Sequence, residues 1–367
     1  MSKKRRIFLA ATRQNDGKTM VCIGMLKRFM EITPDICFMK PVGQRYVEID
    51  GVKIDEDAVV VNSILGRDVE RLKEMSPIAI AKGFTRRYLD EGGLNALMSD
   101  IKESYRKCCQ EKNLMIIEGT GHAGVGSVFD LNNATVAKIL DSKVVLVTIG
   151  GLGRPIDEIV LNQALFEKEG VELIGAIVNK VRPDKMEDLK TYLTKGLKRK
   201  GIDLLGVIPY TDSLTTATML QIKETLNLKL ISGEKFLAKK VDNIVVGAMS
   251  PHNALKYVRD NALLVTPGDR EDLILAAMGS AIMKGRRRAH ISGLILTGGL
   301  RPHKTIVDLI KKASISVLIS EEDTYTVASK LHDLVVKIRK TDAAKINIAS
   351  NLIDQYVDVD KIWDKIS

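Results

Sequence analysis

The sequence predicts an α/β protein: a doubly wound, mostly parallel sheet followed by a second, smaller α/β domain. Three observations carry this. Short apolar runs alternate with amphipathic stretches along nearly the whole chain, the pattern of strand–helix–strand units. Runs such as Lys143–Ile149 (KVVLVTI) are almost continuously apolar, as strands covered on both faces must be. The first apolar run passes through a polar turn into a helix that opens with Gly17-Lys18-Thr19. With 367 residues the chain is long enough for two domains, each with its own core.

The rest is organised around that opening stretch, Arg6–Met30. Ile7–Ala11 delivers the chain to one end of a sheet, and the helix start turns its unpaired backbone N–H groups and positive dipole end towards the turn. That arrangement suits a phosphate group. Asn15 and Asp16 complete the turn and are expected, with Gly17, among the nucleotide-binding residues; Gly17 lets backbone approach the ligand without a Cβ in the way. Lys18 would reach the outer phosphates, and the Thr19 hydroxyl would take one place on Mg²⁺. The strict glycine-rich pattern is broken, because Ala11 and Thr12 stand where its first glycine is expected.

Asp35–Val42 (DICFMKPV) reads as the second strand. Pro41 stops its pairing, so Lys40 stands at a strand end, where ligands gather in open α/β sheets. Asp55, Glu56 and Asp57 precede the helical run Ala58–Leu65; they serve as caps, or Asp57 serves as a partner of Mg²⁺. Asn113–Glu118 is a buried strand ending in a carboxylate, followed by the glycine-rich loop 119–126. Burial of a carboxylate demands a cation or several donors, which makes Glu118 the second acidic position of a phosphate–metal site. His122 in that loop has no assigned role. Strands at Lys143–Ile149, Glu172–Asn179 and Asp203–Ile208 follow, separated by helices Pro155–Glu169 and Pro183–Lys200.

Around Leu228–Lys240 the alternation breaks, and a second alternating unit starts at Val241. Its strands are expected at Ile244–Met249, Leu263–Thr266, Ile291–Thr297 and Ser316–Ile319, and its helices near Pro251–Arg259, Asp269–Met283, Pro302–Lys312 and Asp323–Lys337. Two of its turns hold a possible ligand site: Asp269 and Arg270, with Asp269 as a helix cap, and Thr297, Gly298 and Gly299. The expected domains are 1–228, a linker at 229–240, 241–345, and a helical tail at 346–367.

Composition narrows the function. Aromatic residues make up 4%, with one Trp, which provides poorly for base stacking. The net charge is +10, but the basic clusters Lys3–Arg6 and Arg286–Arg288 do not extend into a stripe, so no nucleic-acid partner is expected. No run approaches the ~20 apolar residues of a membrane span. The short apolar run after Lys3–Arg6 gives way at once to polar residues, unlike a signal peptide. The four cysteines, Cys22, Cys37, Cys108 and Cys109, form no Cys-x-x-Cys pair, so a cytoplasmic, reducing setting is expected.

Taken together, ATRQNDGKT (11–19), KPVG (40–43), Asp57-Ala58, EGTG (118–121), VVLVTIGGLG (144–153), GAIVNK (175–180) and LLGVIP (204–209) resemble, in order and spacing, the dethiobiotin synthetase-like branch of P-loop ATPases. Residues from about Val241 to Lys340 resemble a DRTGG domain, with Pro267-Gly268-Asp269-Arg270 and Thr297-Gly298-Gly299 as its two turns. The pair is similar to the N-terminal half of long bacterial phosphotransacetylases. The resemblance implies ATP on Gly17, Lys18 and Thr19, and Mg²⁺ on Thr19, Asp57 and Glu118. It implies a charge-stabilising role for Lys40, adenine recognition by Asn179, and a homodimer. The chain departs from the synthetase at Ala11, at Gly151, where the synthetase has a lysine, and in having a DRTGG domain. Dethiobiotin synthesis is therefore not carried over, nor is phosphotransacetylase activity, whose acetyl-transfer domain has no counterpart in these residues.

Three functions stay open on the sequence. The first is a Mg-ATP-binding protein with a regulatory or ligand-sensing second domain, acting as a slow ATPase or nucleotide switch. The second is an ATP-dependent ligase that activates a carboxylate or carbamate. The third is an interaction protein with a degenerate nucleotide site.

Overall fold

A computed structural model describes residues 4–110, 112–282 and 291–367; the basic cluster Arg286–Arg288, Lys3 and Met283 lie outside the described residues. The chain divides into two compact units. The first runs to Thr211 and takes in Ile338–Ser367; the second is Asp212–Lys337.

The first unit is built on a six-stranded sheet: β1 (Arg5–Ala11), β2 (Ile36–Met39), β3 (Leu114–Glu118), β4 (Lys143–Ile149), β5 (Leu173–Val181) and β6 (Leu204–Pro209). The spatial order is β6-β5-β4-β1-β3-β2, and every pairing is parallel. β2 and β3 lie on one side of β1, and β4 to β6 on the other, so the order reverses beside β1. The crevice that opens at such a reversal is where open α/β sheets bind ligands. The strands are apolar on both faces because helices cover both: Ile7–Ala11 and Leu114–Ile117 are fully buried.

Helix α1 (Lys18–Ile32) follows β1 directly. It has no side-chain cap and no acidic residue in its first turn, so nothing in the helix itself neutralises its positive end. By contrast α2 (Glu56–Leu65) is capped by Asp55, whose side chain accepts from Asp57 N, and it ends at Gly66 in the left-handed conformation. The expected strand 35–42 is interrupted at Lys40. Val42–Gly43 instead pairs with Ile78–Ala79 in a separate ribbon. Helices α3 (Leu94–Cys108), α4 (Gly153–Lys168) and α5 (Met186–Lys198) complete the crossovers.

The second unit carries a five-stranded sheet of β7 (Lys229–Ser232), β8 (Asn243–Val246), β9 (Ala262–Pro267), β10 (Ile291–Thr297) and β11 (Ser316–Ile319), in the order β7-β11-β10-β9-β8. β7 is antiparallel to β11, and the other pairings are parallel. One face packs against α6 (Glu271–Ile282) and α7 (Lys304–Lys312) through Ile274, Ala277, Ile306 and Ile310. The other packs against α8 (Thr324–His332) through Val327 and Leu331.

Four expectations about the domains are corrected. The stretch 229–240 is not a linker: it contributes β7, an edge strand held by antiparallel pairing, and the start of a short strand at Lys240–Val241. The first unit ends at Thr211 rather than 228, and the second at Lys337 rather than 345. The tail is not separate either. α9 (Ala343–Tyr356) and α10 (Val359–Lys365) belong to the first unit. α9 lies so close to α1 that a Cβ on Gly24 would stand 2.5 Å from the Ala349 carbonyl oxygen. The Arg5 guanidinium lies 4.4 Å over the Trp363 ring, and Lys361 and Lys365 pair with Asp203.

Candidate functional site

Four strand ends converge beside α1. β1 leads into the loop 12–17, β2 delivers Lys40, β3 ends on Glu118, and β5 carries Asn179 two residues before its end. The β1–β3 register sets Leu9 against Glu118, and the β2–β3 register sets Met39 against Ile117, which brings Lys40 alongside Glu118.

The centre of the site is a buried ammonium. Lys40 Nζ donates to Glu118 Oε1 at 2.9 Å, to Asp57 Oδ2 at 3.0 Å and to the Gly119 carbonyl at 3.3 Å. Burial alone would push the Lys40 ammonium down, but the carboxylates of Glu118, Asp57 and Asp55 outweigh it and hold it well above the usual lysine range. Thr19 Oγ1 donates to the same Glu118 Oε1 at 2.9 Å. Glu118 Oε2 is buried without a hydrogen-bond partner among the described residues. A buried, unpartnered carboxylate oxygen is costly. With Thr19 and Asp57 it makes a hard-oxygen set of the kind Mg²⁺ prefers, so the residues present fit that ion. Among the described residues no group of three or more His, Cys, Asp or Glu side chains could hold a metal by itself.

Lys18 is also buried, and its Nζ lies 3.4 Å from the Gly121 carbonyl. Burial, and then the charge of Lys40, push its ammonium down to about 8. An anion entering the loop would favour the charged form further.

The loop is held by contacts the sequence did not disclose. Thr12 Oγ1 donates to Asp16 Oδ2 at 2.9 Å, and it lies 2.9 Å from Thr148 Oγ1 and 3.3 Å from Glu158 Oε2. Arg13 N donates to Asp16 Oδ2 at 2.8 Å, and the Arg13 guanidinium pairs with Glu158. Burial pushes the Asp16 carboxyl up to about 6, against the hydrogen bond from Thr12 and the charge of Lys18. Thr12, in place of glycine, is thus the anchor of the turn. Asn15 adopts the left-handed conformation with φ 67°, and its carbonyl accepts from Lys180 Nζ at 2.6 Å. Asn179 Nδ2 donates to the Asp16 carbonyl at 2.9 Å, and Asn179 Oδ1 accepts from Lys180 N. Gly17 has φ 95°, and a Cβ there would lie 2.1 Å from Asn179 Nδ2, so only glycine fits.

On the other side, Asn133 ties down the loop after Glu118. Its Oδ1 accepts from Thr120 N at 3.0 Å, and its Nδ2 donates to the carbonyls of Thr120 and His122. His122 is exposed, with Nδ1 accepting from Gly124 N. No motif pointed to Thr12, Glu158 or Asn133. Asn133 follows a good N-cap residue, Asn132, and reads as an ordinary helix start.

In the second unit the two expected turns meet: Gly268 N donates to the Thr297 carbonyl, and a Cβ on Gly268 would fall 1.8 Å from the Leu300 carbonyl oxygen. Gly298 N and Gly299 N donate to the carbonyls of Glu322 and Ser320, and Thr297 Oγ1 lies 2.6 Å from Thr324 Oγ1. Arg270 is held bidentately by Asp272 and donates to the Met249 carbonyl. Asp269 is exposed and is not the helix cap: α6 starts at Glu271, and its first hydrogen bonds run to the Arg270 carbonyl. The turn sequence is one residue longer than the capping pattern assumed.

The fold and the phosphate-loop geometry define a P-loop protein with a second α/β module. A family model described as an AAA domain matches residues 5–218, more than half of the chain, and a DRTGG domain model matches residues 221–334. The chain belongs to that AAA-domain family, with a DRTGG domain following. Among curated proteins it is 26% identical to a phosphate acetyltransferase of Nitratidesulfovibrio vulgaris, over 98% of this chain and 51% of the relative. It is 26% identical to one of Synechocystis sp., over 97% and 51%. The chain thus spans about half the length of the curated relatives it matches, in keeping with a resemblance to one half of the long phosphotransacetylases. Among solved structures, the MinC:MinD cell division protein complex of Aquifex aeolicus matches 57% of this chain and 83% of that one, at 12% identity and a TM-score of 0.37.

Proposed function

We propose that the first unit binds Mg-ATP and works as a slow ATPase or nucleotide switch, and that the DRTGG unit senses a small ligand. The observation that carries this reading is the Lys40 ammonium lying between Asp57 and Glu118, next to the Thr19 hydroxyl and an unpartnered Glu118 oxygen. Support also comes from the loop: Thr12, Asp16, Asn179 and Lys180 hold it in shape although its first glycine is missing.

In this reading Thr19, Asp57 and Glu118 hold Mg²⁺, which when bound neutralises charge on the terminal phosphates. Lys18 approaches those phosphates from the loop, and their charge holds its ammonium in the protonated form. Lys40 exchanges its two carboxylates for a transferring phosphoryl group and stabilises the charge that develops there. Gly17 and the first turn of α1 present backbone N–H groups to the phosphates. Asn179 keeps one amide hydrogen and one lone-pair direction beyond its two internal bonds, enough to read the edge of an adenine. The test is calorimetry with Mg²⁺ and a non-hydrolysable ATP analogue, followed by an ATPase assay. Saturable one-site binding supports the reading, and absence of heat with no change in melting temperature contradicts it.

A further inference from the structure

At the end of the first sheet opposite Lys40, three of the four cysteines gather although none of their spacings forms a motif. Asn113 N and Leu114 N both donate to the Asp35 carbonyl, which ties the start of β2 to the start of β3. α3 ends at Cys108, and Cys109 caps it, its N–H donating to the Tyr105 carbonyl. The outcome is that Cys37 Sγ lies 3.5 Å from Cys109 Sγ, with Met115 Sδ 3.5 Å from Cys37 Sγ on the other side. A disulfide needs a sulfur separation of about 2.05 Å, so closing this pair takes roughly 1.5 Å of movement. Cys109 sits where a helix gives way to a turn, and β2 is an edge strand, so both can yield.

The two thiols differ in the way an exchanging pair requires. The Cys37 contact, then Tyr105 and the cations Lys4 and Arg6, hold the Cys109 thiol below its usual value, against burial that would raise it. The same contact from its other side, together with burial, holds the Cys37 thiol well up. Cys109, at the helix end with Lys4 Nζ donating to its carbonyl, is placed to attack first, and Cys37, fully buried inside β2, attacks second. The other two cysteines are spectators. Cys22 is fully buried and pushed well up by burial and by Glu118. Burial and Glu74 push Cys108 up to about 12, although it lines an open polar cavity of about 490 Å³ with Arg67 and Arg71.

We propose that Cys37 and Cys109 are a reversible dithiol–disulfide pair that exchanges with low-molecular-weight disulfides of the glutathione type. The Cys109 thiolate attacks one sulfur of the small disulfide and expels one thiolate, leaving a mixed disulfide on Cys109. Cys37 then attacks the Cys109 sulfur, loses its proton and expels the second small thiol. Two protein thiols are oxidised, and one small disulfide is reduced to two thiols. Cys109 is 2% exposed, so attack requires the end of α3 to open, and equilibrium composition rather than rate is the readout.

The test equilibrates the full chain in glutathione buffers of rising oxidised fraction, blocks free thiols with an alkylating reagent and maps the peptides by mass spectrometry. The expected result is loss of two thiols with a crosslink between the Cys37 and Cys109 peptides, reversed by reduced glutathione. Cys37→Ser should stop the reaction at a glutathione adduct on Cys109, and Cys109→Ser should leave Cys37 free. Retention of all four thiols across the series overturns the proposal, as does a crosslink or adduct that falls on Cys108 or Cys22. Circular dichroism of both variants establishes that they are folded; if either is not, alanine at the same position takes its place in the same assay.

Discussion

Lys40 Nζ stands 2.9 Å from Glu118 Oε1 while the second oxygen of the same carboxylate has no hydrogen-bond partner among the described residues, so one ammonium half-satisfies a site with capacity for more positive charge. Lys40 is thereby the counter-ion of Asp57 and Glu118, the two acids of the proposed Mg²⁺ site, and in that proposal the two cations compete for them.

Replacing the ammonium by an apolar chain of similar length tests that competition. Lys40→Met should destabilise the metal-free protein by about 3–5 kcal/mol, because it leaves two buried carboxylates without their cation. Mg²⁺ should restore much of the loss. Thermal unfolding with and without Mg²⁺ should show a larger upward shift for the variant than for the parent. Equal shifts would mean that the ion does not use these acids.

Gly17→Ala places a methyl group 2.1 Å from Asn179 Nδ2 on a backbone with φ 95°. The left-handed conformation alone costs roughly 1–2 kcal/mol for a residue with a Cβ. Asn179 must also give up its bond to the Asp16 carbonyl. A lower melting temperature together with weakened nucleotide binding is expected. A variant with unchanged binding would show that Asn179 and the loop act independently.

Asp16 supplies a pH dependence with a definite sign. Its carboxyl is raised from 3.8 to about 6 in the folded chain, chiefly by burial. The folded state therefore holds the Asp16 proton more tightly than the unfolded state does. The stabilisation from this group is fully present below pH 3.8 and is lost as pH rises through 6. Asp16→Asn cannot titrate. The stability difference between parent and variant, measured by denaturant unfolding from pH 4 to pH 7, should shift in favour of the variant as pH rises. A difference that stays flat across this window would contradict the burial assigned to Asp16.

Much of this site could be read from the chain because strand ends announce themselves. Pro41 after an apolar run marks Lys40, and the acid closing LMIIE marks Glu118. The sheet then brings together residues 78 positions apart. Thr12 and Glu158 could not be read. Glu158 sits on α4 four residues from Arg154, the pattern of an ordinary solvated helix face. Only the β1–β4 pairing brings α4 to the loop. The return of the C-terminal helices was equally hidden, since an amphipathic helix does not say which surface it covers. Its signal was Gly24 in the middle of α1, a residue with no turn to make and Ala349 against its back. The edge strand Lys229–Ser232 was missed because four residues beside a charged stretch show too little alternation to register.

The central claim is that a triphosphate lies in the loop at the start of α1 with Lys18 against it. Titration calorimetry of the parent and of Lys18→Ala with Mg-ATP tests this most directly. Loss of a buried charge partner costs about 2–5 kcal/mol, so affinity should fall by about 30-fold or more while the melting temperature of the free protein changes little. Equal affinity in the two proteins would contradict the account.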